Sequence, residues 1–158
     1  MNRATVERVL QAGLEQGAEF SELYLQESRS SSLLLKSGEI ESATAGTTFG
    51  VGLRLIRNGE VLYGFTSDHS EESLLSLARR LGQLRPGESR HLPPIQLGEP
   101  LFHPDFHPVL FDPRQAGQRR KLPLLQQLDR VTRHCGERIV QVTASALDIV
   151  EHVEIYNS

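Results

Sequence analysis

The sequence feature that most constrains the fold is the Asn58-Gly59 pair, which separates two segments of alternating apolar and polar residues, 47–57 and 60–66. Both residues tolerate positive φ angles, so the pair predicts a type I′ hairpin turn. Three upstream segments, 21–28, 33–36 and 39–44, also alternate or are rich in strand-forming residues. Together they predict a meander of about five strands, which is a usual size for one sheet.

Two predicted helices flank the meander. Residues 3–16 carry an apolar stripe between an N-cap at Asn2 and a left-handed position at Gly17. A second stripe over 71–84 begins after a cap at Ser70 and ends before Pro86-Gly87. The stripes consist of Val6, Val9, Leu10 and Leu14 in the first helix and of Leu74, Leu77, Ala78 and Leu81 in the second.

The prolines divide the rest of the chain. All eight lie at position 86 or later, and seven of them lie between 86 and 113. Residues 86–112 therefore predict a proline-rich strap, extended over the surface or mobile. Asp112-Pro113 predicts the start of a third helix, bent or restarted near Leu122 because of Pro123. Its apolar stripe is Leu124, Leu125, Leu128 and Val131, and two strands follow at 138–145 and 148–156, joined over Ala146-Leu147.

These segments predict an α+β fold. The expected architecture is a mostly antiparallel sheet of about five to seven strands with helices packed on one face. Residues 1–85 form a helix, a five-strand meander and a helix, residues 86–112 form the strap, and residues 113–158 add a helix and two strands. We expect the three parts to make up one N-terminal domain. The sequence stops at Asn157-Ser158 within a strand pattern, which predicts that this is part of a longer protein with its chemistry downstream.

Composition narrows the function classes. The net charge is −3 without a basic excess in either half, which argues against nucleic-acid and membrane partners. Arg119-Arg120-Lys121, with Arg114 nearby, is expected to be a solvated helix start. The single cysteine excludes an internal disulfide and suits a reducing compartment, and no apolar run is long enough for a membrane span. A cytoplasmic location is expected.

Three patterns could carry chemistry. His103 and His107 have a metal-like spacing, but Pro104 and Pro108 argue against the helix that would align them, and zinc takes three or four protein ligands. His134 and Cys135 are adjacent at a helix end, where their side chains do not face each other, and a lone cysteine is most often buried as a small apolar group. Gly50-Val51-Gly52 lies within a strand and not at the start of a helix, as a phosphate loop requires. We assign no catalytic, cofactor-binding or metal-binding residue to this chain.

The order of several motifs resembles the N-terminal domain of the TldD/PmbA family, the modulator of DNA gyrase proteins. The motifs that carry the resemblance are Glu22-Leu23-Tyr24-Leu25-Gln26, Phe49-Gly50-Val51-Gly52-Leu53-Arg54, Gly64-Phe65, Arg120-Lys121-Leu122 and the segment 138–145. Within that segment, Val142-Thr143-Ala144-Ser145 is similar to TldD and less similar to its PmbA (TldE) partner.

The resemblance implies a zinc metallopeptidase of the bacterial cytoplasm that acts on unfolded peptides. In that family the zinc ligands come from a His-Glu-x-x-x-His motif and a later cysteine in the C-terminal domain, and neither is present here. The resemblance therefore implies no cofactor in this chain, zinc in the absent C-terminal domain, and no activity of the chain alone. A TldE/PmbA-like subunit or a second copy would be its partner, with contacts and a cavity wall as its contribution. The alternative is a stand-alone binding or dimerisation module that uses exposed strand edges.

Overall fold

A computed structural model describes residues 1–84, 93–99, 101, 108 and 110–158 of the chain. Three helices and four strands occur in these ranges. In chain order they are α1 (Arg3–Glu15), β1 (Phe20–Lys36), β2 (Glu39–Arg57), β3 (Glu60–Thr66), α2 (Glu71–Leu84), α3 (Pro113–His134) and β4 (Thr143–Asn157). The α+β class is as predicted from the sequence.

The four strands form one open sheet in the order β3-β2-β1-β4. Antiparallel pairing of β1 with β4 is visible at both ends of β1, where the Ser37 amide donates to the Val142 carbonyl and the Ser158 amide donates to the Ser21 carbonyl. The sheet therefore has two edges, β3 and β4, on which no further strand pairs within the described ranges.

The predicted count of five to seven strands is too high, because three expected breaks are absent. Segments 21–28 and 33–36 are both part of β1, and segments 39–44 and 47–57 are both part of β2. Residues 148–156 lie in β4, which begins at Thr143 and continues through Ala146-Leu147 without a turn. The polar residues 29–32 contain neither glycine nor proline, and Gly46 has no positive φ, so the backbone stays extended at each point.

The Asn58-Gly59 hairpin turn occurs where the sequence predicts it. Asn58 and Gly59 have φ angles of 48° and 76°, and Arg57 pairs with Glu60 across the turn. This is the type I′ geometry that matches the twist of the flanking strands. Ser37 and Gly38, with φ angles of 52° and 83°, form the corresponding turn between β1 and β2.

The chain divides into two compact units, and the first comprises residues 1–27, 49–102 and 152–158. Its core contains the predicted stripes of α1 and α2, packed against one face of the sheet. The strand residues in this core are Leu23 and Leu25 of β1 and Val51, Leu53 and Leu55 of β2, with Phe49 partly buried beside them. Asn2 caps α1 by accepting from the Ala4 amide, and Gly17 follows the helix at φ 88°, as expected.

Polar contacts fix the two helices of the first unit at both ends. Near their N-termini, Glu71 of α2 accepts from Arg8 Nε at 2.7 Å and from Thr5 Oγ1 at 2.8 Å. Near their C-termini, the buried Arg57 donates from Nη2 to the Gln16 carbonyl at 2.6 Å and from Nη1 to the Gly82 carbonyl at 3.5 Å. A cation there complements the partial negative charge of both helix C-termini.

Gly13 permits the close approach of α1 to the sheet. A Cβ atom at this position would lie 2.5 Å from Leu55 Cδ2 and 2.7 Å from Ser21 Oγ, both fully buried. We expect Gly13→Ala to destabilise the fold by about 1 kcal/mol, because a clash of about 1–3 kcal/mol outweighs the gain in helix propensity of about 1 kcal/mol. Urea denaturation measures the change. Gly50→Ala is the matched control, since nothing lies within 4 Å of its Cβ position, and we expect it to be neutral or stabilising. Equal effects of the two substitutions would contradict the packing explanation.

The second compact unit comprises residues 28–48 and 103–151, and its small core joins α3 to β1. Leu33, Leu35 and Leu125 are buried together there. The predicted apolar stripe of α3 is wrong except at Leu125, because Leu124, Leu128 and Val131 are each more than half exposed. The buried positions of the helix are spaced by four: Lys121, Leu125 and Asp129.

The bend of α3 predicted near Leu122 and Pro123 is also wrong, because the helix bends at Gly117. The non-helical residue is Gly117, with φ 57° and ψ 160°, and Pro123 lies within the helix. Glycine adopts positive φ without a Cβ clash, so the chain bends at Gly117. Of the predicted strap, only residues 93–99, 101, 108 and 110–112 lie in the described part. There the amides of Ile95 and Leu97 donate to side chains of α1, Gln11 and Glu7.

Candidate functional site

The described residues offer no metal centre. Within these ranges, no three His, Cys, Asp or Glu side chains converge in a way that could hold a metal ion. His103 and His107 lie outside the described residues, so their metal-like spacing stays a hypothesis. The zinc implied by the family resemblance finds no fitting set of ligands in the described part of the chain.

His134 and Cys135 do not form a catalytic pair. His134 Nδ1 lies 2.6 Å from the Arg130 carbonyl, and Cys135 Sγ donates to the Val131 carbonyl at 3.4 Å. Each side chain therefore bonds to the backbone of its own helix, as expected for adjacent residues. The expectation that Cys135 is buried is wrong, because the residue is exposed at the end of α3.

Gly50-Val51-Gly52 lies inside β2 and away from any helix start, in agreement with the strand interpretation. Gly52 has a packing role on the outer face of the sheet. A Cβ atom there would lie 2.6 Å from Tyr63 Oη, so the Tyr63 ring covers this glycine.

A buried ion pair in the second unit lines a cavity of about 530 Å³. Lys121, only 8% exposed, is hydrogen-bonded to the Asp148 carboxylate and donates to Ser31 Oγ at 2.9 Å. Ser31 in turn donates to Asp148 at 2.8 Å. The Lys121 hydrogen bond, and after it the Ser31 hydroxyl, hold the pKa of Asp148 below its usual value, against the opposing effect of desolvation.

This ion pair corrects the interpretation of the basic cluster. Arg119 and Arg120 are exposed as expected, but Lys121 is not solvated. Sequence reasoning missed the pair because Asp148 lies in a different predicted element, 27 residues away. The ammonium is already neutralised by a carboxylate, which makes the pair a structural link between α3, β1 and β4. Arg114 lies at a position whose side chain the structure does not describe.

A second polar cluster in the first unit surrounds Glu154 of β4. Its carboxylate accepts from Tyr156 Oη at 2.8 Å, lies 3.1 Å from His152 Nε2 and accepts from the α-amino group of Met1 at 3.3 Å. The His152 contact is the main cause that lowers the pKa of Glu154. The cluster lies beside a cavity of about 410 Å³ lined also by Leu25, Glu27, Phe49 and His69. Two carboxylates and two imidazoles give the cavity a mixed polar character.

The outer face of β3 is an exposed apolar surface of the first unit. Val61, Tyr63 and Phe65 are on one side of the strand, and they are 60%, 60% and 78% exposed. The opposite side of β3 faces α2, where a Cβ at Gly64 would lie 2.8 Å from Leu77 Cδ1. On neighbouring strands, Arg54 pairs with Glu22 at 3.0 Å. An edge strand with an exposed aromatic face is typical of an interaction surface.

The fold and this surface define an α+β domain with an open antiparallel sheet. Over residues 21–84, the chain matches the model of the family described as PmbA/TldA metallopeptidase domain 1. Over this segment, the match supports the resemblance to the PmbA/TldD family that the sequence indicates. None of the curated proteins matches the sequence.

Solved structures share the fold over nearly the whole chain. A candidate modulator of a DNA gyrase from Thermotoga maritima has 18% identity and a TM-score of 0.70, over 98% of this chain. A candidate modulator of DNA gyrase from Bacteroides thetaiotaomicron has 17% identity and a TM-score of 0.71, over 99% of this chain. TldE from Thermococcus kodakarensis has 12% identity and a TM-score of 0.57, over 96% of this chain.

The present chain is much shorter than these structural relatives. It spans 35%, 36% and 34% of their respective lengths. Their names include both modulators of DNA gyrase and TldE, so the TldD-like assignment made from the sequence stays a prediction. Among the helices in the described ranges, none is both long and apolar enough to cross a membrane.

Proposed function

We propose that this chain acts as the N-terminal domain of a TldD-like zinc metallopeptidase that cleaves unfolded peptides in the cytoplasm. The observation that carries the proposal is the match of residues 21–84 to the first domain of a metallopeptidase family. The coverage of about a third of each structural relative supports a role as one domain among several. In this proposal the zinc ligands lie in another domain, and this domain contributes partner contacts and a wall of the substrate cavity.

The partner in this proposal is a TldE/PmbA-like subunit or a second copy of the chain. The two sheet edges that no strand of the described ranges covers, and the exposed outer face of β3, support a contact role. The strand that begins at Thr143, with its Thr-Ala-Ser start, supports the TldD-like assignment over the PmbA-like one. The net charge of −3 favours neither nucleic acid nor an anionic membrane as a partner.

The purified 158-residue chain should be inactive as a peptidase. We expect no cleavage of an unfolded casein fragment with added zinc, and no difference on addition of EDTA, because zinc catalysis needs three protein ligands and an open position. The protein encoded by the whole reading frame, assayed in parallel, should cleave the same fragment in an EDTA-sensitive way. EDTA-sensitive cleavage by the short chain would overturn the proposal, as would a full reading frame without a zinc motif.

A stand-alone binding or dimerisation module is the second candidate, because the open sheet leaves β3 and β4 without strand partners in the described ranges. The gene distinguishes the two candidates. A stop codon directly after Ser158 would favour the stand-alone module. An open frame with His-Glu-x-x-x-His would favour the peptidase domain.

A further inference from the structure

The two sheet edges that are unpaired within the described ranges, β3 and β4, differ in their protection against pairing. Residues 61–66 of β3 contain no charged residue and no proline. The other edge, β4, carries Asp148, Glu151 and Glu154 along its length. Charged side chains and prolines are the usual means by which edge strands avoid pairing with other chains. Apart from Glu60 at its first position, β3 therefore lacks this protection.

We infer that β3 pairs edge to edge and antiparallel with β3 of a second copy of this chain, around a two-fold axis at Tyr63. Such a pairing is isologous, so it closes at a dimer and does not propagate. Tyr63 is the central residue of Glu60–Thr66, so a two-fold axis there pairs all seven residues of both strands. The pairing depends on this edge alone and does not require the proposed peptidase role.

The side chains are complementary in this register. Residues directly opposite in an antiparallel pair lie on the same face, so Tyr63 meets its own counterpart and Val61 meets Phe65. Aromatic and β-branched cross-strand pairs of this kind stabilise sheets. On the inner face, Leu62 meets Gly64, which has no side chain to obstruct it.

Charge favours the register with the axis at Tyr63 over the register with the axis at Gly64. Glu60 lies opposite Thr66 when the axis is at Tyr63. With the axis at Gly64, Glu60 would lie opposite Asp68 of the second copy, and like charges directly opposite each other are destabilising. A shift by a single residue would pair the exposed face of one strand with the buried face of the other. The central register is the one that avoids both penalties with full overlap.

The contact is small. Three exposed side chains from each copy are fewer than the roughly 20–30 residues that each partner contributes to a standard interface. The dimer should therefore depend on concentration, and sedimentation velocity from about 1 µM to about 1 mM should show conversion from monomer to dimer. Tyr63→Lys places two ammonium groups opposite each other, so we expect the variant to stay monomeric throughout this range. Val153→Lys, on the exposed face of the β4 edge, is the matched control and should dimerise as the unmodified chain does.

Cross-linking tests the register independently of this repulsion. In a Cys135→Ser background, Tyr63→Cys should form an intermolecular disulfide on mild oxidation, because directly opposite Cβ atoms, about 4.5–5.5 Å apart, need only a small shift to reach the about 3.5–4.5 Å of a disulfide. Val61→Cys should not, because the two copies of residue 61 are offset by four residues, or about 13 Å. Circular dichroism establishes that each variant is folded.

Three outcomes would overturn the inference. The unmodified chain could stay monomeric at about 1 mM, the dimer could persist in folded Tyr63→Lys, or Val61→Cys could cross-link as readily as Tyr63→Cys. A monomer that instead binds an extended peptide at β3, seen by NMR shift mapping, would make this edge a peptide acceptor. The peptidase assay described above has a separate readout, so either proposal can fail without the other.

Discussion

Leu53→Ala should lower the free energy of unfolding by about 3 kcal/mol, within the about 2–5 kcal/mol typical of buried leucines. Leu53 is fully buried between β2 and the helices of the first unit. Truncation removes favourable burial and leaves a cavity, because close-packed neighbours relax only in part. Urea denaturation followed by far-UV circular dichroism measures the effect.

Leu84→Ala controls for the chemistry of this substitution. Leu84 is the last residue of α2 and is 68% exposed, so we expect a change of no more than about 0.5 kcal/mol. Similar losses for the two leucines would mean that the first unit is not packed as described. A loss at Leu53 below about 1 kcal/mol would have the same meaning.

Lys121→Met should destabilise the protein by about 2–3 kcal/mol at neutral pH. The substitution keeps the length of the side chain but leaves the Asp148 carboxylate without its cation. Fully buried pairs lose about 3–5 kcal/mol on such a change, and the value here is lower because the Asp148 side chain is still 22% exposed. Removing both charges with Lys121→Met and Asp148→Asn should restore most of the loss, which a double-mutant cycle measures.

The loss of unfolding free energy caused by Lys121→Met should become smaller at acidic pH. The folded protein lowers the pKa of Asp148, so the stabilisation is fully present above the unfolded pKa of about 3.9 and is lost as the pH falls through the folded value. In Lys121→Met, desolvation instead raises this pKa, and protonation relieves the buried charge. Unfolding free energies of the two proteins should therefore converge between about pH 6 and about pH 3. A difference that is constant over this range would show that the ion pair is not the cause.

Local sequence signals were sufficient for the first unit. The alternation in β2, the Asn58-Gly59 turn and the apolar stripes of α1 and α2 depend on residues close in sequence, and the structure has each of them in place. The predicted strand count is too high because weak interruptions such as Gly46 do not break the strands. A glycine without positive φ can lie in an extended strand, although it stabilises the strand less than alanine does.

The second unit was less predictable for a physical reason. The buried face of α3 carries Lys121, Leu125 and Asp129, with Lys121 hydrogen-bonded to Asp148, whereas the apolar pattern pointed to Leu124, Leu128 and Val131. Two residues that pair across a separation of 27 positions produce no periodic pattern in the sequence. The alternation in residues 60–66 predicts a strand with two different faces, but periodicity alone does not tell which face of an edge strand is buried.

The arrangement of the two units along the chain has a consequence for biosynthesis. The first unit is completed by residues 152–158, where Ser158 donates to the Ser21 carbonyl, whereas the second unit draws on residues 28–48 and 103–151. The ribosome therefore delivers every residue of the second unit before the last strand segment of the first. The Ser21 end of β1 lacks its β4 partner while more than a hundred further residues are translated. Its pairing with β4 is therefore expected to be a late step of folding on the ribosome.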